Sequence, residues 1–242
     1  MSFSASTFIR GRKSITSITD NRIKHVLWYI LECHRIFLND NITYSLKEIK
    51  NTTKIKPEDY FRTKFVDNYL RKNRGLLQSF QMEDIFFGKE EVEIYEDNSG
   101  IKQEDKIDIY VRDAGLQKYW SNEGEVYFAI ECKRIKQLSD SNIYISDIDK
   151  FCKRNYTNLR LPFVGQIAFI ENTTLSHDLV AIEINSYLKK STSIITDKYL
   201  SNIKLHSTID CSYHSLHKKN FLKKESFLIY HLLFNYSSIV TD

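Results

Sequence analysis

Asp105-Lys106-Ile107-Asp108-Ile109-Tyr110-Val111 and Val126-Tyr127-Phe128-Ala129-Ile130-Glu131-Cys132-Lys133-Arg134 decide the reading of this chain. Both have the two-residue period of β-strands. The first sets Ile107, Ile109 and Val111 against Asp108 and Tyr110. The second sets Val126, Phe128, Ile130 and Cys132 against Tyr127, Ala129, Glu131 and Lys133. Side chains two apart on a strand share a face, so Glu131 and Lys133 project together, opposite the apolar row. If the two strands are neighbours, Asp108 joins them. Carboxylates and an ammonium converging in an apolar sheet are costly unless they bind something. A hard divalent cation fits, because Mg²⁺ uses one or two carboxylates and keeps several waters. The plainer alternative is a hairpin whose solvated face carries an Asp, a Glu and a Lys.

The pattern Asp108…Glu131-Cys132-Lys133 resembles the PD-(D/E)XK nuclease superfamily in its Asp…Glu-X-Lys form. Ile107 stands where a proline usually precedes the first Asp. The resemblance covers roughly residues 57–190. It implies a restriction-endonuclease-like α/β fold, a mixed sheet flanked by helices, here with an N-terminal helical extension. It also implies a metal-dependent endonuclease. Asp108, Glu131 and the backbone carbonyl of Cys132 would hold Mg²⁺ or Mn²⁺. Lys133 would orient or deprotonate the attacking water, or neutralise developing charge. By alternation the Cys132 thiol belongs to the core. Many members of the superfamily place a Glu on the helix before the sheet. Glu58 is the candidate, since it lies three and seven residues before Phe61 and Phe65, with Asp67 as runner-up. Glu58 also fits the preference of acids for a helix's first turn.

The rest of the chain is globular in composition: 242 residues, 42% hydrophobic and 13% aromatic, with only two prolines and seven glycines. That is enough for one domain with a sizeable core. No repeat and no apolar run of about twenty residues occurs. Cys33, Cys132, Cys152 and Cys211 are scattered, with no paired spacing for zinc, and no signal peptide is evident. A reduced, cytoplasmic protein is expected. Residues 1–19 carry Arg10, Arg12 and Lys13 without an acid and read as a flexible basic arm, or as an imitation of a transit peptide.

Residues 20–56 read as the helical extension. Asp20 caps a helix from Asn21 to about Leu38, and a short amphipathic piece spans Ser45–Ile49. Residues 57–242 read as the nuclease-like domain. A helix runs from Pro57 to about Arg71, a strand covers Glu91–Tyr95, and Asn98-Ser99-Gly100 turns into the Asp108 strand. Residues 112–125 form a long hairpin loop. A basic helix spans Ile148–Tyr156, a buried strand Val164–Glu171, and an amphipathic helix Thr174–Lys189. The tail ends in two strands, or a strand and a helix. The order helix–strand–strand–strand–helix–strand supports a mixed αβ sandwich and is the superfamily's core arrangement.

Net charge is only +4, but residues 133–160 hold seven Lys/Arg against three Asp, and residues 214–224 hold four Lys and two His without an acid. Such clusters suit a phosphate backbone. Lys150, Lys153, Arg154, His217 and Lys218 are the candidate nucleic-acid contacts, although a solvated face, or for His217 a structural histidine, would read the same. The expected partner is nucleic acid, DNA first, with no membrane. A homodimer or a partner subunit of a defence complex is compatible with the resemblance, which also suggests defence against foreign DNA. Two other classes stand beside it: a non-cleaving module that binds nucleic acid or protein, and a zinc or thiol enzyme, which the cysteine spacing disfavours.

Overall fold

The computed structural model describes residues 5–97, 99–120, 125–156, 160–220 and 226–241. An N-terminal helix, α1 (Ala5–Asn39), leads into a mixed α/β body. Helix α1 starts sixteen residues before the expected Asn21. Residues 5–19, expected as a flexible arm, are therefore helical, and residues 1–4 lie outside the described chain. Asp20 is not a cap. It accepts from the Tyr230 hydroxyl and pairs with Lys24 one turn on, at 2.6 Å. Ile23, Val26, Leu27, Ile30 and Leu31 are buried and share one apolar cluster with Phe61, Phe65, Ile109, Ile130 and Phe169. The segment 20–56 is thus part of the same core as the sheet, not an appendage to it.

Helix α2 (Leu46–Thr52) is capped by Ser45 Oγ, which accepts from the Glu48 N–H. Helix α3 (Pro57–Phe65) opens on its proline and continues through a π-helical turn, Val66–Leu70, which keeps Val66, Tyr69 and Leu70 buried. The main sheet has eight strands, in the order β5 (Asn155–Tyr156), β2 (Phe86–Glu96), β3 (Lys102–Arg112), β4 (Tyr127–Ile135), β6 (Arg160–Ile170), β9 (Ser226–Asn235), β8 (Ser212–Lys218) and β7 (Thr196–Asn202). Strands β2 (Phe86–Glu96), β3 (Lys102–Arg112) and β4 (Tyr127–Ile135) form an antiparallel meander. Helix α4 (Ala114–Trp120) occupies the stretch expected to be loop. Helix α5 (Ser141–Lys153) then crosses over to β6 (Arg160–Ile170), which runs parallel to β4.

Helix α5 begins seven residues earlier than expected, and Tyr156 lies instead in β5 (Asn155–Tyr156), paired to β2. Helix α6 (His177–Lys190) and β7 (Thr196–Asn202), a strand not foreseen, precede β8 (Ser212–Lys218) and β9 (Ser226–Asn235). The tail is therefore two strands, with β9 parallel to β6 and antiparallel to β8. Lys223 and Lys224 lie outside the described residues. A short parallel pair, β1 (Tyr44–Ser45) with β10 (Val240–Thr241), sits apart.

Helices α1 and α3 cover one face of the sheet; α5 and α6 cover the other over a second apolar cluster with Tyr144, Ile148, Ile184 and Leu233. The expected order survives as α3–β2–β3–β4–α5–β6. All four cysteines are free and buried. Among the described residues, no helix is long and apolar enough to cross a membrane.

Candidate active site

The site grows from a break in the alternation of β3. Ile109 and Val111 pack on the α1/α3 face, but Ile107 packs with Tyr127 and Ala129 on the other. Strict alternation would have put Ile107 with Ile109, so the strand shifts face at Asp108. The partner strand shows the cause. The β2–β3 ladder runs Lys89↔Ile109 and then Glu91↔Ile107, skipping the Glu90–Asp108 rung, and Glu90 has φ +56°. A non-glycine residue in that left-handed region is under local strain, and the register is the same on both sides of the unformed rung.

On its other side β3 pairs with β4 only as far as Ile109↔Ile130, whereas β4 stays paired to β6 as far as Ile135↔Ile170. Beyond Ile130 the two strands part, and Asp108 turns into the gap. Its Oδ2 accepts from the Cys132 N–H at 2.7 Å, and its Oδ1 pairs with Arg62 of α3.

Three further expected residues meet there. Lys133 Nζ lies 3.8 Å from Glu58 Oε1 and donates to the Cys132 carbonyl at 3.2 Å. Glu58 Oε2 accepts from the Arg134 N–H at 3.1 Å, so the first turn of α3 delivers it to the β4 edge. Glu131 follows Tyr127 and Ala129 along the α5 face, as alternation requires. Among the described residues no hydrogen bond or ion pair to its carboxylate occurs. Burial pushes its pKa well above the usual carboxylate range, and the charges of Asp108 and Asp147 push it further. Glu58 is also raised, first by burial, against the opposing pull of Lys133. Burial pulls Lys133 down, but Asp147, Glu58 and Asp108 more than offset this and hold it above the ordinary lysine value. These carboxylates favour the charged form of Lys133. The Cys132 thiol is fully buried and its pKa driven up by burial, which agrees with a core role. Asp67 is elsewhere, paired with Arg71 at 2.9 Å and with Lys89.

The expected phosphate contacts fare differently. Lys150 pairs with Asp147 at 3.0 Å, Lys153 with Asp149 at 2.5 Å and Lys218 with Asp197 at 3.3 Å. Arg154 pairs with Asp105 at 2.7 Å and stacks over the Tyr95 ring at 4.0 Å. Every one of these cations already holds a carboxylate. His217 is corrected outright: it is completely buried, bonded to Thr196 and Ser215, and cannot meet a phosphate.

Two residues of the site were not foreseen. Asp147, 1% exposed, pairs with Lys133 at 3.0 Å from α5. The signal was available: it follows Tyr144 by three and precedes Phe151 by four, which puts an acid on the buried stripe. Arg62, 2% exposed, lies one residue after Phe61 and four after Glu58, a buried cation on the face that carries the candidate acid.

The donor set suits a small, hard cation. Among the described residues no group of three or more His, Cys, Asp or Glu side chains is arranged to hold a metal. A cation here would therefore rest on Asp108, Glu131 and the Cys132 carbonyl, with waters completing its shell, as Mg²⁺ accepts. Each oxygen of Asp108 has one partner and keeps a second lone pair. Glu131, half-buried beside Asp108 and without an ion-pair partner among the described residues, is the arrangement a divalent charge would relieve. No family model, curated protein or solved structure matches this chain in comparisons with known proteins.

Proposed function

We propose that this protein is a metal-dependent phosphodiesterase, an endonuclease of the PD-(D/E)XK type that cuts nucleic acid, DNA first. The observation that carries the reading is the gap between β3 and β4. There Asp108, Glu131, Lys133 and Glu58 gather at the point where the strands part, and among the described residues Glu131 has no hydrogen-bond or ion-pair partner. Asp108, Glu131 and the Cys132 carbonyl would hold Mg²⁺ or Mn²⁺, which when bound acidifies water and screens phosphate charge. Lys133, kept protonated by Asp147 and Glu58, stabilises charge developing on the phosphate. Glu58, with its raised pKa, is the carboxylate placed beside Lys133 to take up a proton. Lys150 and Lys153, 45% and 43% exposed, can exchange their carboxylates for the nucleic-acid backbone. A cytoplasmic role against foreign DNA is the setting the family resemblance suggests.

A second reading, a nuclease-like module that binds without cutting, draws on one observation: Arg62 already neutralises Asp108. Incubation with plasmid and with single strands separates the two. Under the first reading, cleavage requires Mg²⁺ or Mn²⁺, stops with EDTA, and falls by about three orders of magnitude in Asp108→Asn. A folded wild type that binds but never cuts favours the second.

A further inference from the structure

At the break in the β2–β3 ladder, Arg62 touches both sides of it. Its Nη2 meets Glu90 at 2.6 Å, and its Nη1 meets Asp108, and Asp59 at 3.1 Å. Glu90 and Asp108 are the two residues of the skipped rung. The guanidinium is 2% exposed, and its Nε has no partner among the described residues. A guanidinium does not give up its proton in a protein, so it leaves Asp108 only by moving. Its other acids are close and more open: Glu90 is 48% exposed and Asp59 33%.

The geometry points to Arg62 as an internal stand-in for the metal. It is a positioning residue that keeps Asp108 neutralised and aimed into the gap until a divalent cation displaces it onto Glu90 and Asp59. The inference rests on the metal-site reading above and adds a competitor to it. Asp108 keeps its anchor on the Cys132 amide throughout, so displacement frees one oxygen without releasing the side chain.

The competition makes Arg62 and Glu90 act as a coupled pair. Arg62→Gln removes the competitor and should tighten Mn²⁺ binding about ten-fold, the scale of one close charge contact at a half-buried site. Glu90→Gln removes the alternative perch and should weaken Mn²⁺ binding several-fold. In the double variant the Glu90 effect should vanish, because it acts only through Arg62. Simple long-range electrostatics gives additive changes instead. Mn²⁺ titration by calorimetry on the full chain reads all three, and Asp108→Asn is the control that should abolish binding. Glu90 lies at the rim, so its single variant keeps the test open even if Arg62→Gln does not fold. Additive changes, or a Glu90→Gln variant with wild-type affinity, overturn the stand-in role while leaving the metal site intact. A wild type that binds no Mn²⁺ overturns both.

Discussion

Two polar regions lie side by side in this sheet, one buried and one half-buried, and they are built on opposite principles. One is a neutral chain across β7, β8, β9 and α5. Thr196 Oγ1 meets His217 Nδ1 at 3.1 Å, and Ser215 Oγ meets both His217 Nε2 and His231 Nε2 at 2.7 Å. His231 Nδ1 meets the Tyr144 hydroxyl at 3.0 Å. Each neutral imidazole donates from one nitrogen and accepts at the other, so the chain closes without a charge. Burial holds His217 down at about 4 and His231 well below the usual histidine value, and both stay neutral. The other region is the β3–β4 gap, charged and incompletely paired, with Glu131 lacking any partner among the described residues. The two meet at Gln166, whose register neighbours are Glu131 on β4 and His231 on β9. A satisfied network fixes a core, and an unsatisfied one calls for a reason of its own.

Opposite construction should give opposite responses to substitution. The largest effect belongs to the closed chain. Ser215→Ala strands two imidazole nitrogens and should cost about 2–4 kcal/mol of stability, read by urea denaturation, while leaving Mn²⁺ affinity unchanged. The gap should respond with the other sign. Glu131→Gln removes a desolvated charge and should stabilise the metal-free protein by about 1–2 kcal/mol, seen as a higher melting temperature in EDTA, at the expense of metal binding. If both substitutions destabilise alike, the contrast between the regions is wrong. The smallest effect lies at the surface. Lys153→Ala with Arg154→Ala should lower nucleic-acid affinity evenly across sequences and reduce the salt slope by about two. An unchanged slope would mean that Asp149 and Asp105 hold these cations permanently.

The contrast also explains what the sequence could disclose. Periodicity exposed β4, α3 and the shared face of Glu131 and Lys133, because those depend on local pattern. It also placed Glu58, whose delivery to the gap needs only α3 and its distance from Phe61. Alternation failed at Ile107, which leaves the row of Ile109 and Val111 where the left-handed Glu90 stands on the neighbouring strand, fifteen or more residues away. Charge clustering at Lys150, Lys153 and Arg154 did not disclose the carboxylate that each of them holds. Asp147 and Asp149 sit within one turn of the two lysines, while Asp105 reaches Arg154 from β3. His217 looked basic beside Lys218 and Lys219, yet strand alternation turns it inward to Ser215. Arg62 was invisible because its meaning depends on a rung that two distant strands fail to form.

The central claim is that the β3–β4 gap holds one divalent cation. The direct measurement is an anomalous difference map from crystals of the wild-type protein grown with Mn²⁺. The expected result is a single strong peak bounded by Asp108, Glu131 and the Cys132 carbonyl, at about 2.0–2.3 Å from their oxygens, and its loss in Asp108→Asn crystals. A map with no peak in the gap at saturating Mn²⁺, or with the cation bound elsewhere in the chain, would contradict it.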